Sequence, residues 1–531
     1  VKNSFYLVIP KQKNEPQRLK EFEAKSLRQW LDELPTANLS LATRLIHDFV
    51  VELNTIAMPS QLRLDVLEKI TPSVHNIEDY LQARLIKTGF PKDANEEKIF
   101  SVLISIQKQC AIGYWAVLKE LTHRDAGWFK GQNTTLPIQR CIKKLGHIVL
   151  SHFIMRMPVP DWVWIDIHSL YKLNENTQNN SVNVVKHFKQ RVTAYTPEDC
   201  YKQILLFSLA DATGLRQKQI PQAYDFIESI AEMVSLKHTP VMQQSQQCMI
   251  LTDEDKPPYF QTNINSNNDS SVLYLDLTRL YKFMAQQENA ALKSDSGFLK
   301  PLFGQRDQPS KAPRELLYYL QQRWLGIELH GSVLFTDRFD RYIAIGLSAT
   351  YDLKNMLSVN DDINHENKEG IRAQSTSDRL LSAVFKESDV LSVGSLISFK
   401  KKDEPESSRS LGVVNKVGVI NQTGKITFAV HLLASRFDMI TCKRRQTDEN
   451  VEAQKGIFYT IKKATGDKTY VITDYFMFED NDVVDVFMGQ KYFPVIMKNR
   501  KNISLGYWQF ECQRIAEQVM PEQIKKGYDF I

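Results

Sequence analysis

Apolar positions recur every three to four residues over most of the first 235 residues, a spacing that predicts one helix after another. The stretch 39–56 carries Leu41, Leu45, Ile46, Phe49 and Leu53 on one face, and Asn38 is placed to cap it. A shorter helix, 25–34, stops at Pro35. After Met58-Pro59-Ser60 the apolar set Leu62, Val66, Leu67 and Ile70 repeats at helical spacing, and Pro72 is expected to close that helix because proline lacks the amide donor. Amphipathic segments follow at 74–87, 96–122, 136–155, 162–176, 197–209 and 220–236. Their short connections imply antiparallel neighbours in a helical array.

The pattern then changes. Residues 239–276 are rich in Gln, Asn, Ser and Pro, with short strands expected at 241–252 and 258–264 and a polar loop at 265–271. A helix is expected at 271–287, a Gly- and Pro-containing linker at 294–313, and a last helix at 314–324. Beyond residue 331 the runs are short and rich in Val, Ile, Phe and Tyr. Strands are expected at 341–347, 393–400, 410–419, 425–433, 456–462, 469–473 and 491–495, with Asn421 to Gly424 as a hairpin loop. Short strands in series predict a small barrel. The expected fold class is α+β, an N-terminal all-α helical array followed by a C-terminal antiparallel β-barrel. The expected domains are 1–235 helical, 236–330 mixed α/β, 331–505 barrel with a mobile insertion at 358–376, and a tail 506–531 packing on the barrel.

Composition narrows the function classes. With 531 residues, 43% hydrophobic and 24% charged, the chain is ordinary globular protein. A net charge of +5 over that length excludes a dedicated nucleic-acid binder, in which basic residues dominate. The six cysteines lie far apart and form no CxxC pair, against a disulfide framework or a zinc ribbon. No run approaches the about 20 apolar residues a spanning helix needs, and the N-terminal apolar run is too short for a signal peptide. These features predict a cytoplasmic protein.

Catalytic signatures are weak. The run Gly418 to Lys425 imitates a phosphate loop, but its spacing is one residue too long and Ile426 stands where Ser or Thr would hold magnesium. Asp361, Asp362, His365 and Glu366 have metal-ligand chemistry but sit in a polar stretch without an apolar frame, and His147 and His152 read as packing or surface residues. No enzyme, no metal and no cofactor is expected. The basic clusters 400–402, 443–445 and 498–501 read as solvated strand ends or, alternatively, as an anion-binding rim, with 400–402 and 443–445 also open to an RNA-binding reading. Arg338 and Arg341, just before the first barrel strand, are more specific. Guanidinium forks grip phosphates and the O6/N7 edge of guanine, although Asp337 and Asp340 are equally placed to neutralise the pair.

Several stretches together resemble a known family: 34–38, 52–54, Arg63 through Glu68 to Pro72, Gly113-Tyr114, 164–171 and 201–216. They are similar to a proteobacterial family, some members labelled "molecular chaperone", in which a long helical region precedes a PilZ-type barrel. The chaperone label finds no support in the residues, which hold no ATP-binding motif. The resemblance implies a PilZ-like barrel and a non-enzymatic cyclic-di-GMP receptor working with type IV pilus or motility proteins, with nucleic acid not a partner. It implies Arg338 and Arg341 as ligand-gripping residues with Ser377 and Ser375 opposite. This chain departs from the PilZ pattern: its arginines are spaced RxxR, Ser375 stands at the Asp/Asn of the [D/N]xSxxG turn, and Leu380 stands at its Gly. The alternative is accordingly a degenerate PilZ-fold interaction scaffold that binds no nucleotide.

Overall fold

The computed structural model describes residues 5–123, 134–176, 184–188, 191–242, 246–262, 271–293, 313–328, 331–355, 370–386, 388–420, 423–445, 453–462, 466–474 and 478–515. The expected insertion lies largely outside them. So do the candidates Asp361, Asp362, His365 and Glu366. The chain divides into two units. One comprises Val1–His330 with Lys386–Ser392 and Lys416–Thr427; the other comprises Gly331–Phe385, Val393–Asn415 and Phe428–Ile531.

The first unit opens with α1 (Pro16–Leu19), α2 (Ala24–Asp32), α3 (Leu39–Thr55), α4 (Ser60–Leu85), α5 (Ala94–His123), α6 (Thr135–Ile154) and α7 (Val163–Asn176). A hairpin, β1 (Val184–Phe188) and β2 (Arg191–Tyr195), leads to α8 (Pro197–Leu209) and α9 (Gln219–Ile230). As expected, the Asn38 side chain caps α3 by accepting from the Leu41 amide. Thr196 and Asp199 close a capping box on α8, where Pro197 fits the first turn because the N–H it lacks would have no intrahelical partner there. Pro72 does not end its helix. It sits inside α4, whose apolar stripe runs through it as Val66, Leu67, Ile70, Val74, Ile77 and Leu81, all buried. Burying that continuous face against α5 and α6 outweighs the about 3 kcal/mol that an interior proline costs.

A small sheet completes this unit: β3 (Ser235–Lys237), β4 (Gln247–Leu251), β5 (Tyr259–Gln261) and β6 (Val272–Asp276), in the order β3-β6-β4-β5. Residues 272–276, expected as the start of a helix, are the inner strand β6, with four of five residues buried. Helix begins only at α10 (Thr278–Lys293) and is followed by α11 (Arg314–Trp324).

Several residues of the family-like stretches make long-range buried bonds in this unit. Arg63, 2% exposed, donates to the carbonyls of Leu53 and Ile56, capping the end of α3 from α4. Tyr114 donates to Glu68 at 2.8 Å, and Arg140 forks onto the same carboxylate. The Asp166 carboxylate accepts the amides of Tyr6 and Leu7 at 2.8 and 2.9 Å, pinning the N-terminal segment. His168 bonds the Tyr201 hydroxyl and the Lys256 carbonyl. These stretches are therefore the internal fastenings of a helical array.

Among the described residues the rest of the fold is antiparallel sheet with one α-helix and one short 3-10 turn, Lys416–Thr427 of its β11–β12 hairpin being counted with the first unit. It comprises β7 (Arg341–Ile345), α12 (Gly346–Asn355), β8 (Ile371–Ser375), β9 (Leu380–Ala383), β10 (Leu396–Lys401), β11 (Ser410–Ile420), β12 (Lys425–Ala434), β13 (Asp438–Arg444), β14 (Gln454–Ile461), β15 (Lys468–Thr473), β16 (Val483–Met488), β17 (Lys491–Ser504) and β18 (Tyr507–Arg514). Gly346, at φ +85°, turns the chain from β7 directly into α12. Two closed six-stranded barrels result, β10-β11-β12-β9-β8-β7 and β13-β14-β15-β18-β17-β16.

The α+β class holds, but one barrel was expected and there are two. The second barrel closes through β13, β16 and β18, whose inward residues Ile440, Cys442, Val484, Val486 and Phe510 alternate with polar ones. Residues 507–514, expected in a tail, form the strand β18. Residues 371–375, expected in the insertion, form β8. Leu347 of α12 and Leu396 and Leu411 of the first barrel share a buried cluster with Ile457, Tyr459 and Ile472 of the second.

Candidate functional site

The four residues singled out from the sequence meet at one end of the first barrel. The segment 331–340 leads into β7 and lies along the turn that joins β8 to β9. The amides of Leu334 and Phe335 both bond the Asp378 carbonyl, at 3.0 and 2.8 Å. Arg379 Nη1 donates to the Gly331 carbonyl at 3.0 Å. Arg338 Nη1 donates to the Thr376 carbonyl at 2.7 Å. The approach segment and the turn thus form a clasp.

Arg341 is the centre of that clasp. It is 3% exposed, and its guanidinium faces the buried Phe335 ring at 4.8 Å. Nη1 donates to the Phe339 carbonyl at 2.6 Å and to Ser375 Oγ at 2.8 Å. Nη2 donates to Asp337 Oδ1 at 2.7 Å and, at 3.4 Å, to the Leu334 carbonyl. All four terminal N–H bonds are directed at the protein itself. Ser375 Oγ in turn donates to the Phe339 carbonyl. Ser377 Oγ accepts the amides of Arg379 and Leu380, capping the turn from within. Leu380, where the PilZ resemblance would place a glycine, is the first residue of β9, and its carbonyl closes the turn by accepting the Thr376 amide at 2.9 Å.

Arg338 is arranged differently. Its side chain is exposed, and its backbone is left-handed at φ +59°. A non-glycine residue held there is strained, and such strain gathers at functional sites. No carboxylate among the described residues pairs with it. The surrounding acids have other partners: Asp337 takes Arg341 and Lys401, and Asp340 takes Arg372 at 2.9 Å. Burial works to raise the Asp337 carboxyl, but the donors Arg341, Phe339 N–H and Lys401 override it and hold the carboxyl below its usual range.

Two of the three basic clusters are partly answered by acids, while Lys498 of the third bonds the Gln513 amide. Lys400 pairs with Glu406, Lys401 with Asp337, Arg444 with Asp482 and Arg445 with Asp485. Gly418 and Lys425 lie on the two strands of the β11–β12 hairpin, a strand–turn–strand context without the helix a phosphate loop requires.

A second polar constellation escaped the sequence reading. In the helical unit, Glu78 is 2% exposed and accepts Lys144 Nζ on both oxygens at 2.9 Å. His75 Nδ1 and His147 Nδ1 each lie 3.2 Å from Glu78 Oε2. Burial alone pushes the Glu78 carboxyl up; Lys144 and the two histidines reverse this and hold it well below the usual range. Burial and the nearby ammonium drive His75 down to about 3, and burial lowers His147 despite the carboxylate. His75, Glu78 and His147 have donor atoms within 4.8 Å of one another, as metal ligands would. The Lys144 ammonium already stands where a cation would sit and balances the charge, so the set fits a buried ion pair flanked by neutral imidazoles better than a metal centre. The signal in the sequence was the recurrence of polar residues three apart, His75/Glu78 and Lys144/His147, on otherwise apolar helices.

Helical unit and antiparallel barrels define an α+β protein with an exposed, strained arginine at a barrel mouth. Against known proteins, residues 25–241 match the family described as the N-terminal domain of the cyclic-di-GMP receptor FimW. The chain is similar to the cyclic-di-GMP receptor FimW of Pseudomonas aeruginosa, 24% identical over 262 residues, which is 49% of this chain and 43% of that protein. The match thus takes in less than half of the relative's length. No solved structure matches the chain. Both likenesses bear out the resemblance to a proteobacterial cyclic-di-GMP receptor family. No helix among the described residues is long and apolar enough to cross a membrane.

Proposed function

We propose that this chain is a non-enzymatic receptor for cyclic-di-GMP, gripping the nucleotide at the mouth of the first barrel through Arg338. The observation that carries the reading is the exposed Arg338 guanidinium, held in a left-handed turn beside a hairpin with no carboxylate paired to it among the described residues. The likeness of the helical region to a receptor for this nucleotide supports it. Arg341 acts as a positioning residue: with Ser375 it fixes the Phe339 carbonyl and Asp337, and so the loop that presents Arg338. Ser377 keeps the opposing turn in shape. Ligand would draw Arg338 off the Thr376 carbonyl and shift the clasp between two arrangements, which requires different affinity for each. The helical unit would pass that change to type IV pilus or motility proteins, an output supported by the resemblance alone. Six free cysteines support a cytoplasmic setting.

Thermal unfolding of the full chain with and without cyclic-di-GMP tests the reading. It expects a higher Tm with the cyclic dinucleotide and no rise with 5′-GMP at the same concentration. An unchanged Tm at saturating nucleotide contradicts it.

One alternative has its own observation. All four terminal N–H groups of Arg341 are used internally and Leu380 replaces the motif glycine, which favours a scaffold that keeps the clasp and binds protein instead. That reading expects no nucleotide effect on Tm and retention of a pilus or motility protein by the full chain.

A further inference from the structure

Phe339 combines a fixed backbone with an exposed ring. The ring is 57% exposed. Its own amide donates to Asp337 Oδ1 at 3.2 Å, and its carbonyl accepts Arg341 Nη1 at 2.6 Å and Ser375 Oγ at 3.0 Å. Loop residues with large apolar side chains ordinarily turn them inward; here the chain is tied on both sides of the residue and the ring is held in water. Cations surround it. Lys401 Nζ stands 5.7 Å from the ring centroid, Arg338 precedes it in the chain, and Arg372 is tied to the next residue, Asp340. The acids among them, Asp337 and Asp340, are already met by Arg341, Lys401 and Arg372, so the space beside the ring accepts a negative group without facing a bare carboxylate among the described residues.

We propose that Phe339 is the stacking platform for a purine base of the bound nucleotide, with Arg338 taking its phosphate or its O6/N7 edge. Aromatic faces bind bases through stacking and dispersion, and a cation beside the ring supplies the phosphate contact. The inference rests on the cyclic-di-GMP reading. It deepens that reading by giving the base to an aromatic ring, since Arg341 has no terminal donor left to take the base edge.

The test is calorimetric titration of the full chain with cyclic-di-GMP, using Phe339→Ala, Phe339→Trp and Arg338→Ala. Phe339→Ala should weaken binding at least tenfold with an unchanged Tm, because the exposed ring contributes little to the fold. Phe339→Trp should bind within about threefold of wild type, and its added tryptophan emission should be quenched as the base stacks. Phe339→Ala binding as tightly as wild type, while Arg338→Ala loses affinity, overturns the platform and leaves the receptor reading standing. Wild-type protein that binds no nucleotide overturns both.

Discussion

Arg341 Nη2 lies 2.7 Å from Asp337 Oδ1, four residues earlier in the chain, and the arginine of this pair is almost wholly buried while the aspartate is part-exposed. The pair closes the loop that carries Arg338 and Phe339. Two arginines three residues apart therefore have different tasks, one inside the barrel mouth and one outside it.

This separation predicts a split in stability. Arg341→Ala leaves the Phe339 and Leu334 carbonyls and the Asp337 carboxylate short of donors and should destabilise the barrel by about 2–3 kcal/mol. Arg338→Ala removes one exposed hydrogen bond and should cost no more than about 0.5–1 kcal/mol. Urea unfolding followed by circular dichroism separates them. Equal losses would mean that Arg341 is not the fastening of the loop.

The buried Glu78–Lys144 pair predicts strong coupling. Lys144→Met strands a carboxylate among apolar helices and should cost about 3–5 kcal/mol. Glu78→Gln combined with Lys144→Met removes the stranded charge and should recover a substantial part of that loss. A double variant whose loss equals the sum of the two single losses would show that the pair does not interact.

The acid side of the stability profile follows from the buried histidines. His75 and His168 are depressed to about 3 and about 4, and His147 and His152 are also lowered, each chiefly by burial. Above pH 6.5 both folded and unfolded forms are neutral and nothing is lost. Below it the unfolded chain takes up protons that the folded chain refuses, so stability falls between pH 6.5 and 4 by up to about 1.4 kcal/mol per pH unit for His75 and for His168, and in the same direction for His147 and His152. Asp166 runs the other way. Burial raises it to about 6 against the Tyr6 and Leu7 amides, so the fold gains stability as pH falls from 6 toward 4. Four histidines against one aspartate give a net loss. Urea midpoints at pH 7.5, 6 and 5 should fall in that order, and His75→Gln should flatten the slope. A midpoint independent of pH would contradict the buried, neutral histidines.

The helical array was readable because its apolar positions recur at helical spacing, although the face of α3 that is buried is Ala42, Ile46, Val50 and Leu53, with Leu41 of the expected stripe left exposed. Pro72 misled because a local rule was taken over a burial pattern that continued to Leu81. The second barrel was missed for a different reason. Its strands β16 and β18 are short and alternate apolar with charged or amide residues, as in Trp508, Phe510 and Cys512 between Gln509, Glu511 and Gln513; closure depends on pairings such as Thr441 with Phe487 that no local pattern reveals. The candidate site was half legible. Residue type singled out Arg338 and Arg341, and the family resemblance Ser375 and Ser377, but which guanidinium faces inward depends on the Phe335 ring and the Asp337 carboxylate. Glu78 and Lys144 stand 66 residues apart, and only the fold brings them together.

The central claim is that Arg338 grips a cyclic dinucleotide at the barrel mouth, and calorimetric titration of the full chain with cyclic-di-GMP tests it most directly. The account predicts a saturable micromolar or tighter isotherm for wild type, weakened at least tenfold in Arg338→Ala while that variant stays folded with a Tm within about 5 °C of wild type. A flat titration of well-folded wild-type protein, or an Arg338→Ala isotherm that overlays the wild type, would contradict it.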